Sequence, residues 1–188
     1  LERINSKTKV DFSFNEIPHQ NWNALWESNF EPVFIENKLA IIAPFHALES
    51  NFERTILIEP KMSFGTGHHQ TTHMMCASIL NASLEEKTIL DMGSGTGVLA
   101  ILCEMKGAEK VLAVDIEPWS VENCRNNVKV NNCTRIEAVL GDIEAINANR
   151  FDAIFANINK NIETKAIGVR FLLFIVIKAL YYKFRYYK

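Results

Sequence analysis

Asp91-Met92-Gly93-Ser94-Gly95-Thr96-Gly97 joins a short apolar run, Thr88 to Asp91, to a segment of helical character that continues to about Met105. Glycines at alternate positions let the backbone turn tightly and bring its N–H groups against a ligand, as in nucleotide crevices at strand C-termini. The spacing is G-x-G-x-G, and Val98 stands where a dinucleotide fingerprint has its third glycine, which argues against a nicotinamide ligand. A carboxylate two residues before the first glycine would repel a pyrophosphate and suits a ligand that carries a cationic amine. S-adenosylmethionine has such an amine, so Asp91, Gly93 and Gly95 are candidate contacts to it. Asp115 ends the next apolar run, where a carboxylate accepts hydrogen bonds from both ribose hydroxyls, with helix capping ahead of Pro118 as the competing role. Asp142 follows a run that ends at Leu140 and either reaches an adenine amino group or caps a turn.

Two further segments carry polar chemistry. Pro60-Lys61-Met62-Ser63-Phe64-Gly65-Thr66-Gly67-His68-His69-Gln70-Thr71-Thr72 gathers N–H groups, hydroxyls and imidazoles at a helix start, and reads as a lid over the Gly93 loop. His68, His69 and His73 lack a carboxylate or cysteine at ligand spacing, so no metal site is expected. Asn157-Ile158-Asn159 follows the apolar run Phe151 to Ala156, and the Asn157 amide can donate to or accept from an amine beside a transferring methyl group. Enzymes that methylate planar nucleobase amines typically follow an acidic or amide residue with Pro-Pro-aromatic here. Asn-Ile-Asn-Lys disfavours that acceptor.

These residues need a scaffold of alternating strands and helices. Strands are expected at Thr55 to Glu59, Thr88 to Asp91, Val111 to Asp115, Ile136 to Leu140 and Phe151 to Ala156, with a helix over Thr71 to Leu80. Pro118 suits the first helical position because its missing N–H costs nothing there, and Val121, Cys124 and Val128 share one face of that helix. Such alternation indicates a doubly wound α/β fold, a parallel sheet covered on both faces. Before it, Val10 to Ile17 alternates as a half-buried strand, and Trp22, Trp26 and Phe30 lie four apart on one helical face. Val33 to Ile35 and Leu39 to Ala43 form a hairpin around Glu36-Asn37-Lys38. After Ile162 no turn chemistry or strand and helix alternation is evident, and all four tyrosines lie between Tyr181 and Tyr187. The sheet is therefore expected to be incomplete at its C-terminal end.

Composition bounds the function. The 188 residues, 48% hydrophobic and 22% charged, suffice for one packed domain with a small appendage. A formal net charge of −2 gives no global attraction to nucleic acid or anionic lipid, and direct nucleic-acid binding is not expected. Every charge after Glu163 is basic. The longest apolar run, Phe171 to Ile177, is far below the roughly 20 residues that span a bilayer. Four cysteines without a C-x-x-C pair, and no apolar leader, point to a reduced cytoplasmic protein. Leu1 opens the chain without methionine, cap or turn signal, as a segment cut from a longer protein would.

From Trp22 to Ile162 the chain resembles the ribosomal protein L-eleven methyltransferases (PrmA). The resemblance rests on Trp22, Trp26, Phe30 and Pro32, on Phe64-Gly65-Thr66-Gly67-x-His69-x-Thr71-Thr72, and on Asp91-x-Gly93-x-Gly95-x-Gly97 with Asp115 and Asn157-Ile158. It implies a class I methyltransferase (Rossmann-like) domain preceded by a small recognition domain and linker helix. It also implies S-adenosylmethionine contacts from Thr72, Gly93, Asp115 and Asn157, and amines of a large-subunit ribosomal protein as acceptor. The expected division is a recognition-domain remnant and linker over 1–48, the cofactor-binding domain over 49–163 and an atypical basic tail over 164–188. Two alternatives stay open on the residues alone: a methyltransferase for a small molecule or nucleic acid, and an inactive truncated fragment with a vestigial site.

Overall fold

The computed structural model describes residues 30–47, 51–59, 61, 63–146, 150–158 and 174–176. The expected strand at Val10 to Ile17 and the helix carrying Trp22 and Trp26 lie outside them. Two sheets are present. The smaller contains β1 (Val33–Ile35), β2 (Leu39–Ile42) and β3 (Arg54–Leu57). Strands β1 and β2 form the expected hairpin, with Glu36 and Asn37 at φ 50° and 52°, values that suit a two-residue turn between twisted strands. Strand β3 pairs in parallel with β2.

The larger sheet has the order β6-β5-β4-β7-β8 with every pair parallel. Its members are β4 (Thr88–Met92), β5 (Lys110–Asp115), β6 (Ile136–Leu140), β7 (Ala153–Ala156) and β8 (Phe174–Val176). The chain runs outward from β4 through β5 to β6 and then returns to the other side of β4, so the order reverses between β4 and β7. A crevice opens at such a switch point, beyond the strand C-termini. Helices α1 (Gln70–Asn81), α2 (Val98–Met105) and α3 (Pro118–Val130) precede or connect these strands.

Alternation along β4 and β5 divides the core. Ile89, Val111, Ala113 and Phe155 pack with Met75, Ile79, Leu99, Ile101 and Cys124 of the helices, and with Val33, Leu39, Ile41 and Ile56 of the small sheet. Leu90, Leu112, Val114, Ile146, Phe151 and Ile154 pack on the opposite face. All three helices pack on the first face, and for α2 and α3 this follows from right-handed crossovers progressing in one direction from β4 through β5 to β6. Asp91 falls on the helix-covered face by this alternation, and so is buried with no exposed surface.

One sequence expectation changes here. Strand β3 belongs to the small sheet rather than to the doubly wound one, and its pairing with β2 bridges the expected division at residue 48. Beyond Ala156, where the sequence shows no clear strand and helix alternation, Phe174–Val176 adds to the sheet beside β7, in the register Ile154↔Phe174 to Ala156↔Val176.

Candidate functional site

The glycine loop begins where β4 ends. Gly93 and Ser94 donate their N–H groups to Val114 O at 2.8 and 3.1 Å, which turns the chain across the C-terminal end of β5. Gly93, Gly95 and Gly97 have φ of 75°, 54° and 80°, the left-handed region that glycine enters without strain. Space imposes the same choice, since a Cβ on Gly93 would overlap Ile158 and one on Gly95 would overlap the Phe64 carbonyl. The loop therefore runs closely against two segments that the sequence places far from it.

Asp91 lies beneath the loop. Its Oδ2 accepts from Ala100 N–H in α2 at 3.1 Å, while Oδ1 is buried without a hydrogen-bond partner. Burial pushes its carboxyl up to about 7 from 3.8, with the nearby Asp115 charge acting in the same direction and the Ala100 N–H opposing. Asp115 is half-buried at the end of β5. Its Oδ2 accepts from Gly95 N–H at 2.9 Å and its Oδ1 from Glu117 N–H at 3.0 Å. Each oxygen retains a second lone pair, so capping and ligand binding are compatible at this residue. Asp142 is exposed, and its Oδ1 accepts from Glu144 N–H at 2.9 Å to cap the 3-10 turn Ile143–Ile146. Of its two readings, capping is the one built into this geometry.

The segment leading into α1 is stitched to the glycine loop. Thr96 N–H donates to Phe64 O at 2.9 Å, and Thr96 Oγ1 donates to Gly65 O at 2.7 Å. Gly67 passes so close to the small sheet that a Cβ there would come within 2.8 Å of Ile41 Cδ1. His68 packs edge-on against Phe30 at 4.8 Å between ring centroids. His69 caps α1, its Nδ1 accepting from Thr71 N–H at 3.3 Å. The imidazoles thus fix the loop, and among the described residues no group of three or more His, Cys, Asp or Glu is arranged to hold a metal ion. Thr72, fully buried in the first turn of α1, accepts from Asn157 Nδ2 at 3.0 Å. This bond brings α1 to the end of β7 and leaves Oδ1 as the acceptor end of the Asn157 amide.

Asp91, Gly93, Gly95, Asp115, Thr72 and Asn157 thus gather at one end of the sheet, with Asp142 on the rim. Sequence reasoning missed the polar residues that hold them there. Asn127 of α3, fully buried, donates to Thr96 O at 2.9 Å and accepts from Glu59 N–H at 2.9 Å. Asn123, Asn127 and Asn131 recur every four residues, a visible signal that resembles an ordinary solvated helix face.

A switch-point glycine loop, with a buried acid before it and an acid at the end of the neighbouring strand, defines a Rossmann-like fold of the class I methyltransferase type. Comparison with known proteins narrows the class. The chain matches the family described as ribosomal protein L11 methyltransferase (PrmA) over residues 1–165, and it belongs to that family. It is 43% identical to the ribosomal protein L11 methyltransferase of Phocaeicola vulgatus over 157 residues, which cover 82% of this chain and 56% of that protein. The Chlorobaculum parvum protein of the same name is 37% identical over 177 residues, covering 87% of this chain and 61% of its own length. The chain therefore spans little more than half of these relatives. Among solved structures, the ribosomal protein L11 methylase of Lactobacillus delbrueckii subsp. bulgaricus superposes with a TM-score of 0.62 at 30% identity, covering 69% of this chain and 67% of that one.

Proposed function

We propose that this chain forms the cofactor-binding and catalytic part of an S-adenosylmethionine-dependent protein N-methyltransferase. Its acceptors are amines, lysine side chains or an N-terminal amine, of a large-subunit ribosomal protein. Family membership supports the protein acceptor over a small molecule or nucleic acid. The observation that carries the cofactor reading is the unpartnered Oδ1 of fully buried Asp91 beneath a glycine loop whose Gly95 N–H is held by Asp115. A buried carboxylate oxygen without a donor is costly, and an ammonium group supplies the donor.

In this reading Asp91 holds the amine of the cofactor, directly or through water, and Gly93 and Gly95 allow its close approach. Asp115 uses the remaining lone pairs of its two oxygens for ribose hydroxyls. Asp142 on the rim is available to the adenine amino group through the oxygen not engaged in its cap. When bound, the sulfonium supplies an activated methyl group and a good leaving group. The protein then contributes proximity and orientation more than acid–base chemistry. A lysine amine has a reference pKa of about 10.4, so desolvation at the crevice mouth must favour its neutral, nucleophilic form. Asn157 positions that nitrogen: Thr72 engages Nδ2, and Oδ1 accepts from the incoming amine.

Residues 49–163 form the cofactor-binding unit in this proposal. The N-terminal stretch is the end of a recognition module. A cytoplasmic location is part of the same reading, supported by four free cysteines and, among the described residues, no helix long and apolar enough to cross a membrane.

Methyl transfer from radiolabelled S-adenosylmethionine to purified large-subunit ribosomal protein tests the proposal. Asn157→Ala is expected to lower transfer at saturating S-adenosylmethionine by about 10-fold or more, beyond any weakening of S-adenosylhomocysteine binding from loss of its own cofactor contact. Unchanged transfer by that variant would remove Asn157 from the acceptor site.

A further inference from the structure

The amides on α3 and at its C-cap, Asn131, divide the work of holding the crevice together. Asn131 grips only β3 and its own helix: its Oδ1 accepts from Leu57 N–H at 2.8 Å, and its Nδ2 donates to Leu57 O and to Asn127 O, both at 2.7 Å. Asn127, one turn earlier, reaches two different segments. Its Oδ1 accepts from Glu59 N–H at 2.9 Å, and its Nδ2 donates to Thr96 O at 2.9 Å with a longer contact to Asn123 Oδ1 at 3.4 Å. Thr96 in turn donates through N–H and Oγ1 to Phe64 O and Gly65 O. A closed polar circuit results. The chain leaves the circuit at Glu59 and rejoins it at Phe64 and Gly65, so Asn127 and Thr96 tie both ends of the intervening segment to the glycine loop.

We infer that Asn127 is a positioning residue for the cofactor crevice, setting the separation between the Ser63–His69 segment and the Gly93–Gly97 loop. The inference rests on the cofactor reading given above, and it adds a residue that touches neither cofactor nor acceptor. Asn127 has no exposed surface, and among the described residues no other side chain on α3 donates to the glycine-loop backbone. The Thr96 carbonyl, held by the amide, fixes the peptide plane between Thr96 and Gly97. Without that donor the carbonyl is free to tilt, and the N–H and hydroxyl of Thr96 lose their alignment on Phe64 and Gly65.

The test uses the full chain and a matched pair of isosteric variants. Asn127→Asp keeps the acceptor for Glu59 N–H and replaces the donor facing Thr96 O with a second carboxylate oxygen. Asn131→Asp makes the same change one turn along, opposite Leu57 O, and leaves every glycine-loop bond in place. Two quantities are read at pH 8: amide hydrogen exchange at Thr96 in the ligand-free chain, and S-adenosylhomocysteine affinity by calorimetry. Both variants are expected to melt earlier. Only Asn127→Asp should speed Thr96 exchange and weaken affinity, each by about 10-fold, the factor equivalent to one good hydrogen bond. Equal behaviour of the two variants in either measurement overturns the inference. A parent chain that fails to bind S-adenosylhomocysteine would refute the cofactor reading, while the exchange comparison still judges the positioning role by itself. Should Asn127→Asp not fold, the Asn127→Ala and Asn131→Ala pair is compared in the same way.

Discussion

Replacing Asp91 by asparagine should make the ligand-free protein more stable and a worse binder, with both effects set by one buried oxygen. The Asp91 carboxyl stands at about 7 in the folded chain against an ordinary 3.8, chiefly because it is fully buried. A shift of roughly 3 pH units corresponds to about 4 kcal/mol of destabilisation once the group is ionised, at about 1.36 kcal/mol per unit. The folded value lies above the unfolded one, so between about pH 4 and pH 7 the folded chain holds a proton that the unfolded chain has released. The Asp91 contribution to stability is therefore fully present below about pH 4, and it is lost as pH rises through about 7. Asparagine keeps an acceptor for Ala100 N–H and never ionises, but it places an amide N–H₂ where Oδ1 lacks a partner, at a cost of about 1–3 kcal/mol. The balance is a net gain of about 1–3 kcal/mol at pH 8 and a net loss of about 1–3 kcal/mol at pH 4, where Asp91 is protonated and only the amide cost remains. Urea unfolding of both chains at the two pH values measures it. Calorimetry at pH 8 should show S-adenosylhomocysteine binding weakened by about 10- to 100-fold, the range for a charge-assisted bond. A variant that is equally destabilised at both pH values, or one that gains stability with affinity unchanged, would refute the reasoning.

Two other substitutions separate the site from its scaffold. Gly95→Ala forces a side chain into the left-handed region at φ 54° and against the Phe64 carbonyl. A loss of about 1–3 kcal/mol in thermal unfolding is expected, together with weaker S-adenosylhomocysteine binding, and a variant that melts with the parent would contradict the described contact. Glu104, 8% exposed, accepts from Thr134 N–H at 2.9 Å and Arg135 N–H at 3.0 Å at the opposite pole of the sheet. Glu104→Ala should cost about 2–4 kcal/mol in denaturant unfolding, from two backbone donors left unpaired, and should leave S-adenosylhomocysteine affinity within two-fold. A large fall in affinity would place Glu104 in the site's support rather than in the distant scaffold.

The part of the fold that the sequence displays most clearly is β4, the glycine loop and α2. Local chemistry specifies it: an apolar strand, three glycines that must adopt positive φ, and a helix buried along almost its full length. Asp115 is legible for the same reason, as a polar residue that ends an apolar strand. Strand β3 is legible as a strand, but its partner is not, because nothing in Arg-Thr-Ile-Leu distinguishes pairing with β2 from pairing within the larger sheet. Strand β8 is obscured because its apolar run has neither alternation nor flanking turn residues. The inward face of α3 is misread in part. Val121 and Cys124 are buried as the periodicity requires, but Asn123 and Asn127 are buried beside them, and polar residues at helical spacing ordinarily face water. Their burial follows from the backbone groups of Glu59 and Thr96 that they satisfy, and these lie 68 and 31 residues away in the chain. The same holds for Thr72 and Asn157, which meet across 85 residues.

Calorimetric titration with S-adenosylhomocysteine, on the parent chain and on Asp115→Ala, tests the central claim most directly. Asp115 holds the Gly95 and Glu117 N–H groups, so each sample is first confirmed as folded by a cooperative melt. Saturable one-to-one binding by the parent chain, abolished by the substitution, is expected. A folded parent chain that does not bind, or a folded Asp115→Ala chain that binds as well as the parent, would contradict it.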